Sequence, residues 1–250
     1  AYYSKLVRVA EKYEHFRPFV YEKDYKQFQQ FLEYCRTGRG NETLIKVNAI
    51  RNTADQILNS ISRMNVDKTL AEESKKVVRD IVNTTMAEPK IATLLDKMLK
   101  MDGEFLSHSL AVSMVSTAFA KSLNFPQDAL NKISESGLYH DIGMFRVDAE
   151  LHQDPTTLSG AEFKAYKAHT LHGQEILDEL YHQGVKLPTE VEIVALQHHE
   201  KFNGLGYPNN KKGRQEEVGG QGIHPFARIV SIAEGFVDLI ERYNKGKKPL

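Results

Sequence analysis

The sequence predicts an all-α protein in two parts, a smaller, mainly helical N-terminal domain followed by a larger helical bundle. Apolar residues recur at the three- and four-residue spacing of amphipathic helices along most of the chain. Runs that alternate apolar and polar residues, as strands do, are scarce. A chain of 250 residues, 41% hydrophobic and 26% charged, is long enough to divide into a small and a medium domain.

The first part of the chain contains two predicted helices. One covers residues 50–64 and the other residues 70–82, with a break at 65–67. Residues 83–89 are polar and end at a proline, which disfavours a continuous helix across them. We therefore place the domain boundary after residue 88.

The second part contains five predicted helices and one long loop. The helices cover residues 91–99, 105–122, 127–139, 191–196 and 226–243. Residues 203–222 carry six glycines and little apolar content, which is typical of an irregular loop. Loops of this length in a compact domain often carry function, so we expect this one to contribute to a site.

Composition narrows the classes of function. Residues 1–100 hold 18 basic and 13 acidic side chains and the remainder 15 and 20, an asymmetry too mild to indicate a nucleic acid polymer as partner. No segment approaches the roughly 18 to 20 apolar residues that span a bilayer, so we expect no membrane insertion. The single cysteine, Cys35, excludes an intramolecular disulfide and suits a cytoplasmic location. The chain starts at Ala1 and we expect no signal peptide in it; whether residues precede Ala1 is left open.

Histidine is concentrated in the second part of the chain, beside carboxylates. Nine of the ten histidines lie between residues 108 and 224. Glu104 and His108 stand four apart on a predicted helix, so both side chains project from one face. Two further pairs, His140-Asp141 and His198-His199, are adjacent in the sequence. Imidazole and carboxylate together hold borderline divalent ions, so the pattern predicts a centre for more than one metal ion.

The order of these motifs resembles the HD-GYP branch of the HD phosphohydrolase superfamily, from about Met101 to Tyr243. The segments that carry the resemblance are Glu104-Phe-Leu-Ser-His108-Ser, Leu138-Tyr-His140-Asp141-Ile-Gly143, Leu158-Ser-Gly-Ala-Glu162 leading into Lys167-Ala-His169-Thr-Leu-His-Gly173, His198-His199-Glu200-Lys-Phe-Asn203-Gly204-Leu-Gly206-Tyr207-Pro208, and Ala227-Arg228-Ile229-Val230. Members of this family hydrolyse cyclic di-GMP. The resemblance therefore implies an HD-type helical bundle over residues 89–250, with residues 1–88 as a regulatory or dimerisation domain.

The resemblance also implies which residues form the site. The implied metal ligands are Glu104, His108, His140, Asp141, His169, His198, His199 and Glu234. Eight side chains exceed what one ion accepts, so we expect two divalent ions, with room for a third that uses Glu104. Fe or Mn is favoured by the mixed ligands, and Zn is left open. His140 and Asp141 are the expected catalytic residues, and Gly206, Tyr207, Arg242 and Lys245 are expected to bind substrate.

Other residues receive smaller roles from the same resemblance. Glu200 is expected to orient a ligand histidine rather than to bind metal. Five histidines match no ligand position and are expected at the surface or beside ligands: His15, His152, His172, His182 and His224. Two such ions lower the pKa of a water between them to around 7 and stabilise in-line displacement at phosphorus, so no covalent nucleophile is needed.

Three departures from the family pattern bear on activity. Met144 stands where the family usually has a lysine, so a cation expected near the substrate phosphate is missing. Asn203 replaces a usual aspartate in the Gly-Tyr-Pro loop. Glu234 replaces a second aspartate that is usual in the family. The next acidic residue, Asp238, is shifted by one position from the family pattern.

Three functions are compatible with these residues. The leading one is a metal-dependent phosphodiesterase that opens cyclic di-GMP to pGpG, and on to GMP. The second is a catalytically weak sensor or adaptor that keeps the metal centre and binds cyclic di-GMP. The third is a different HD-type phosphohydrolase acting on nucleotides, which fits the His-Asp core but not the Gly-Tyr-Pro loop. A homodimer or a protein partner is left open.

Overall fold

The computed structural model describes residues 42–87, 95, 104–152, 155–211 and 222–244, and every regular element in these ranges is a helix. The α-helices are α1 (Glu42–Ser62), α2 (Leu70–Ala87), α3 (Glu104–Ser122), α4 (Gln127–Tyr139), α5 (Gly160–Lys167), α6 (His169–His182), α7 (Thr189–Gln197) and α8 (Pro225–Asn244). Three 3₁₀ helices lie between α4 and α5, at Ile142–Arg146, Ala149–Leu151 and Pro155–Thr157. The all-α prediction is confirmed.

Residues 50–250 group into one compact unit and residues 1–49 into another. Within the larger unit, α2 packs against α3 and α4.

The expectation that residues 83–89 interrupt the helix is wrong, since α2 continues to Ala87. Thr84 and Thr85 are buried, so these polar residues belong to the packed face of the helix. The regulatory or dimerisation role of residues 1–88 stays a prediction.

The hairpin of α3 and α4 follows the sequence closely. Asn124 takes a positive φ of 61° just after α3, where Phe125 N donates to the Ala120 carbonyl oxygen at 3.1 Å. The two helices then approach closely at Gly137, where a Cβ would lie 2.8 Å from Ser113 Cα. This close approach brings the C-terminal end of α4 beside α3.

One hydrophobic core of the described residues joins α3, α7 and α8. Its buried members are Leu95, Ala111, Val112, Val194, Ile223, Ala227, Val230, Ala233 and Val237. Small and β-branched side chains on α8 recur every three or four residues, which keeps one face of that helix against the core. The core therefore fixes α3 and α8, the helices that carry His108 and Glu234.

A close contact also joins the first 3₁₀ helix to α6. A Cβ built on Gly143 would overlap the His169 carbonyl oxygen and the Gly173 nitrogen. Only glycine fits this position, and the contact sets Asp141, two residues earlier, beside the first turn of α6.

Some sequence predictions fall outside the described ranges. Of the helix predicted at 91–99 only Leu95 is described, and it is fully buried. His15, Cys35 and Lys245 lie outside the described residues. Across the part of the chain that is described, no helix is both long enough and apolar enough to cross a membrane. The cytoplasmic location stays a prediction.

Candidate metal centre

Asp141 stands at the middle of a cluster of histidines contributed by three segments. Its Oδ1 atom lies 3.4 Å from Nε2 of both His169 and His198, and its Oδ2 atom lies 3.5 Å from His140 Nε2. The Nε2 atoms of His169 and His198 are 3.3 Å apart. Asp141, His169, His198 and His199 offer ligand atoms close enough to one another to hold one ion, and His140 does so with Asp141 and His108.

Three of the imidazoles are oriented by backbone carbonyl oxygens three or four residues earlier in the chain. Nδ1 of His140 donates to the Gly137 carbonyl oxygen at 2.8 Å, and Nδ1 of His169 donates to the Tyr166 carbonyl oxygen at 2.8 Å. Nδ1 of His198 donates to the Val194 carbonyl oxygen at 3.1 Å. Because a carbonyl only accepts, Nδ1 carries the proton and the Nε2 lone pair faces Asp141, as metal ligation requires.

The cluster fits a divalent cation by its unsatisfied atoms. His140 Nε2, Asp141 Oδ1 and His199 Nε2 are buried without a hydrogen-bond partner. Buried polar atoms in folded proteins nearly always have a partner, so three orphans around Asp141 call for ligands among them. Imidazole nitrogens with a carboxylate oxygen form a donor set suited to Fe, Mn or Zn.

Burial keeps His140, His169 and His199 neutral, while the histidines around Asp141 keep that aspartate ionised. Desolvation lowers the pKa of His140 to about 3 and that of His169 to about 4, and it holds the pKa of His199 well below its usual value. Desolvation alone raises the pKa of Asp141, but His140, His198 and His169 act against it and bring that pKa well below its usual value. Neutral imidazoles and an ionised carboxylate are the forms that bind metal.

Glu234 reaches the cluster from α8. Its Oε1 atom lies 3.5 Å from His199 Nε2, and its side chain is 10% exposed. Burial and the charges of Asp141 and Asp238 raise the pKa of Glu234 well above its usual value. Two buried carboxylates this close repel each other, and a cation between them removes the repulsion. Glu234 therefore lies beside His199, and its role as a metal ligand stays a prediction.

His108 links this cluster to two acidic residues that sequence reasoning did not assign to the site. One nitrogen of the His108 ring can share an ion with His140 and Asp141. Nδ1 of His108 lies 3.1 Å from Glu241 Oε1 and 3.9 Å from Asp238 Oδ1. Desolvation lowers the pKa of His108, but Glu241 outweighs it and the pKa rises to about 9. The available signal was spacing, because Glu234, Asp238 and Glu241 recur four and three residues apart along one helix face.

The other predicted ligand and substrate residues lie as follows. Glu104 begins α3, but its side chain lies outside the described part of the structure. Arg242 lies in the last turn of α8, where its charge acts on Asp238. Met144 is buried at 7% exposure in the first 3₁₀ helix. The ligand and substrate roles assigned from the sequence stay predictions.

The Gly-Tyr-Pro loop is folded against the cluster. Gly204 takes a positive φ of 77°, whereas Gly206 is needed for space, because a Cβ there would overlap the His199 carbonyl oxygen and the Lys201 nitrogen. Tyr207 N donates to the His199 carbonyl oxygen at 3.2 Å, and the Tyr207 ring stacks on the His199 ring at 4.6 Å. Tyr207 is therefore placed beside the candidate ligands.

Glu200 has a different role from the one expected. Its two carboxylate oxygens accept from the backbone nitrogens of Asn209 and Lys211 at 2.7 and 2.8 Å, so it anchors the loop instead of orienting a histidine. Asn203 also serves the loop, since its Oδ1 accepts from Leu205 N at 3.0 Å. An aspartate would accept the same bond, so this departure leaves the turn intact.

Two rings and a lysine beside Tyr207 were missed by sequence reasoning, and with Tyr207 they form an aromatic platform. We define it as the rings of Phe163, Tyr166 and Tyr207 with the Lys167 ammonium beside them. Phe163 lies 6.3 Å from Tyr166 and 6.4 Å from Tyr207 between ring centroids. The residues at 163, 166 and 167 lie three and four apart on α5, directly before His169, and that spacing was the available signal.

The remaining described histidines have partners away from the cluster. His152 Nε2 lies 3.1 Å from the Val147 carbonyl oxygen, and His224 N donates to Gln197 Oε1 at 2.9 Å. His172 and His182 lie beside carboxylates on the same helix, Glu175 at 3.2 Å and Asp178 at 3.6 Å.

Helices packed around buried histidines and an aspartate define the class of this protein, a helical bundle with a candidate metal centre inside it. A profile described as an HD domain matches residues 89–250. The chain belongs to this HD domain family.

Curated relatives support the resemblance to HD-GYP proteins. A cyclic di-GMP phosphodiesterase of Thermotoga maritima is 29% identical over 150 residues, which is 60% of this chain and 38% of that protein. A cyclic di-GMP phosphodiesterase of Pseudomonas aeruginosa is 28% identical over 53% of this chain and 31% of its own length. A 3′3′-cGAMP-specific phosphodiesterase of Vibrio cholerae is 24% identical over 71% of this chain and 30% of its own length. The chain thus spans about a third of the length of these relatives.

A solved structure shares the fold. An HDG"Y"P protein from Bdellovibrio bacteriovorus superposes with a TM-score of 0.66 and 18% identity, covering 88% of this chain and 70% of that one. The HD-type helical fold and the family expected from the sequence are confirmed.

Proposed function

We propose that this chain is a metal-dependent phosphodiesterase that hydrolyses cyclic di-GMP to pGpG, and on to GMP. The observation that carries the proposal is the set of unpartnered buried atoms around Asp141, which suits divalent cations. The names of the relatives supply the substrate class, since they include phosphodiesterases of cyclic di-GMP and of 3′3′-cGAMP. Cyclic di-GMP is favoured over 3′3′-cGAMP because two of the three relatives described above are named as cyclic di-GMP phosphodiesterases.

The chain's residues would hold two ions in distinct ways. Asp141 offers both oxygens, Oδ1 toward His169 and His198 and Oδ2 toward His140, so one carboxylate can serve two ions. His199 and Glu234 complete one side of the centre, and His108 the other. Divalent ions bound here supply activation of water at neutral pH and neutralisation of phosphate oxygens.

Tyr207 is placed to assist with the substrate phosphate. Burial, followed by the neighbouring Tyr166 and Glu234, raises the pKa of the Tyr207 hydroxyl, so it stays protonated at neutral pH. A neutral hydroxyl beside His199 donates a hydrogen bond to a phosphate oxygen without adding charge. The water molecule attacks phosphorus in line with the leaving ribose oxygen, and none of these residues forms a covalent bond to substrate.

The test is metal analysis together with product detection on the full chain. We expect about two ions of Fe or Mn per chain after anaerobic loading, and conversion of cyclic di-GMP to pGpG by chromatography. Asp141→Asn keeps the side-chain shape but replaces an oxygen ligand with an amide, so both metal content and turnover are expected to fall. Asp178→Asn removes a surface carboxylate 3.6 Å from His182 and is the matched control, with both values unchanged. Metal-loaded protein that binds cyclic di-GMP for hours without converting it contradicts the proposal and favours the sensor or adaptor.

A further inference from the structure

The aromatic platform continues the candidate metal centre outward. Tyr207 stacks on His199 at 4.6 Å with 26° between the ring planes, and Tyr166 lies 5.1 Å from His169. Phe163 contacts both tyrosines, nearly parallel to Tyr166 at 11° and nearly perpendicular to Tyr207 at 82°. All three rings are partly exposed, so they present faces to which a planar ligand can stack.

Lys167 brings a positive charge to the same place. Its Nζ atom lies 5.0 Å from the centroid of Phe163 and 5.6 Å from that of Tyr207. Among the residues that the structure describes, no carboxylate lies within ion-pair distance of Lys167. Cation–π contacts at an exposed site are weak, so the flexible ammonium can leave the rings for a hydrogen-bond acceptor on a ligand. Met144, on the Asp141 side, supplies no such charge.

We propose that the aromatic platform is a guanine-binding subsite, in which a base stacks on Phe163 and meets the nearly perpendicular Tyr207 ring at its edge, while Lys167 donates to guanine O6 and N7. The inference rests on the proposed function, since a phosphodiester held at Asp141 places its nucleoside next to Tyr207. Guanine presents two acceptors, O6 and N7, on one edge, which a lysine can bridge. Adenine presents N7 beside an amino donor, and that donor repels an ammonium. Lys167 would therefore select guanine over adenine at this position.

The two kinds of contact predict different kinetic effects. Phe163→Leu removes stacking area that every purine uses, so KM for cyclic di-GMP and 3′3′-cGAMP rises about tenfold alike. Lys167→Met removes the donor to O6 and N7, so the preference for cyclic di-GMP over cyclic di-AMP in kcat/KM falls about tenfold. Lys167→Arg restores a donor pair for the same edge and keeps most of the preference.

Tyr181 and Lys186 provide a matched control pair. Lys186 Nζ lies 5.9 Å from the Tyr181 centroid, so the pair repeats the lysine-over-ring contact at an exposed position. Lys186→Met and Tyr181→Leu are expected to leave KM and the preference between bases unchanged. A change in base preference in Lys167→Met but not in Lys186→Met cannot come from loss of a surface charge in general.

Failure of this inference differs from failure of the proposed function. If the wild-type chain hydrolyses cyclic di-GMP and Lys167→Met slows all cyclic dinucleotides equally, Lys167 does not read the base and the subsite is refuted. If the wild-type chain hydrolyses none of them, the proposed function fails, and equilibrium binding of GMP and AMP to the loaded protein decides the subsite. GMP binding about tenfold tighter than AMP, lost in Lys167→Met, supports it, and equal binding refutes it.

Discussion

Replacing Gly143 with alanine tests whether the contact between the first 3₁₀ helix and α6 sets the geometry of the centre. The new Cβ would lie 2.8 Å from the carbonyl carbon of His169, and separations under 3.0 Å are essentially never seen for real Cβ atoms. It would overlap the His169 carbonyl oxygen and the Gly173 nitrogen more severely. All three obstacles are backbone atoms, so they cannot rotate away and α6 has to shift.

The size of the effect follows from this overlap. Overpacking of this kind costs about 1 to 3 kcal/mol, which for a unit of this size lowers Tm by about 3 to 10 °C. The shift also moves His169, whose Nε2 lies 3.4 Å from Asp141 Oδ1. A displacement of about 1 Å between catalytic groups costs about 100-fold in rate, so we expect activity to fall much further than stability alone predicts.

Thermal unfolding, metal content and hydrolysis of cyclic di-GMP measure the three effects on one preparation. Gly160→Ala is the matched control, because a Cβ there meets nothing within 4 Å, and it should leave all three unchanged. Gly143→Ala protein that keeps wild-type Tm, metal content and rate would refute the reasoning, since the contact would then not set the geometry.

Three further predictions follow from other contacts. Glu241→Gln removes the negative charge 3.1 Å from His108 Nδ1, so metal affinity should fall about 10-fold to 100-fold. Titration in buffers of graded chelator strength measures it, and an affinity equal to that of the wild type contradicts a role of Glu241 in supporting His108. Burial raises the pKa of the Glu135 carboxyl, so ionisation of Glu135 destabilises the fold as pH rises through that pKa. Glu135→Gln should therefore raise Tm more at pH 8 than at pH 5. An equal gain in Tm at the two pH values rules out this effect of Glu135. Met144→Lys should raise kcat at equal metal content, because it supplies a cation near the phosphate; unchanged or lower kcat at equal metal content counts against this account of Met144.

The fold could be predicted where the sequence marks the ends of helices. Asn124 and Pro126 separate α3 from α4, and the predicted range 127–139 coincides with α4. The end of α2 was missed because Thr84 and Thr85 look like loop residues in the sequence, yet both are buried on its packed face. Polarity along the chain does not show which threonines lie toward the core, because that depends on the helices packed against them.

The candidate site was predictable where residue type and order are unusual. Adjacent pairs such as His140-Asp141 stand out in a chain with few histidines, and the structure brings them together with His169. Glu241 and Lys167 carry a weaker signal, their spacing along one helix face, because glutamates and lysines are common on helix surfaces. Distances in the structure show their relevance, to His108 in one case and to the Phe163 ring in the other.

The two sides of the centre are built on different physical principles. His140, His169 and His198 are fixed by helix carbonyl oxygens three or four residues earlier in the chain, so their orientation follows from the backbone. His108 is fixed by side chains of α8, and the Glu241 and Asp238 side chains beside it are 22% and 41% exposed. Side chains that are partly exposed cost less to displace than helix carbonyls do, because water replaces their lost hydrogen bonds. A chelator should therefore remove an ion shared with His108 before it removes an ion held by His169 and His198. The two ions would then differ in affinity.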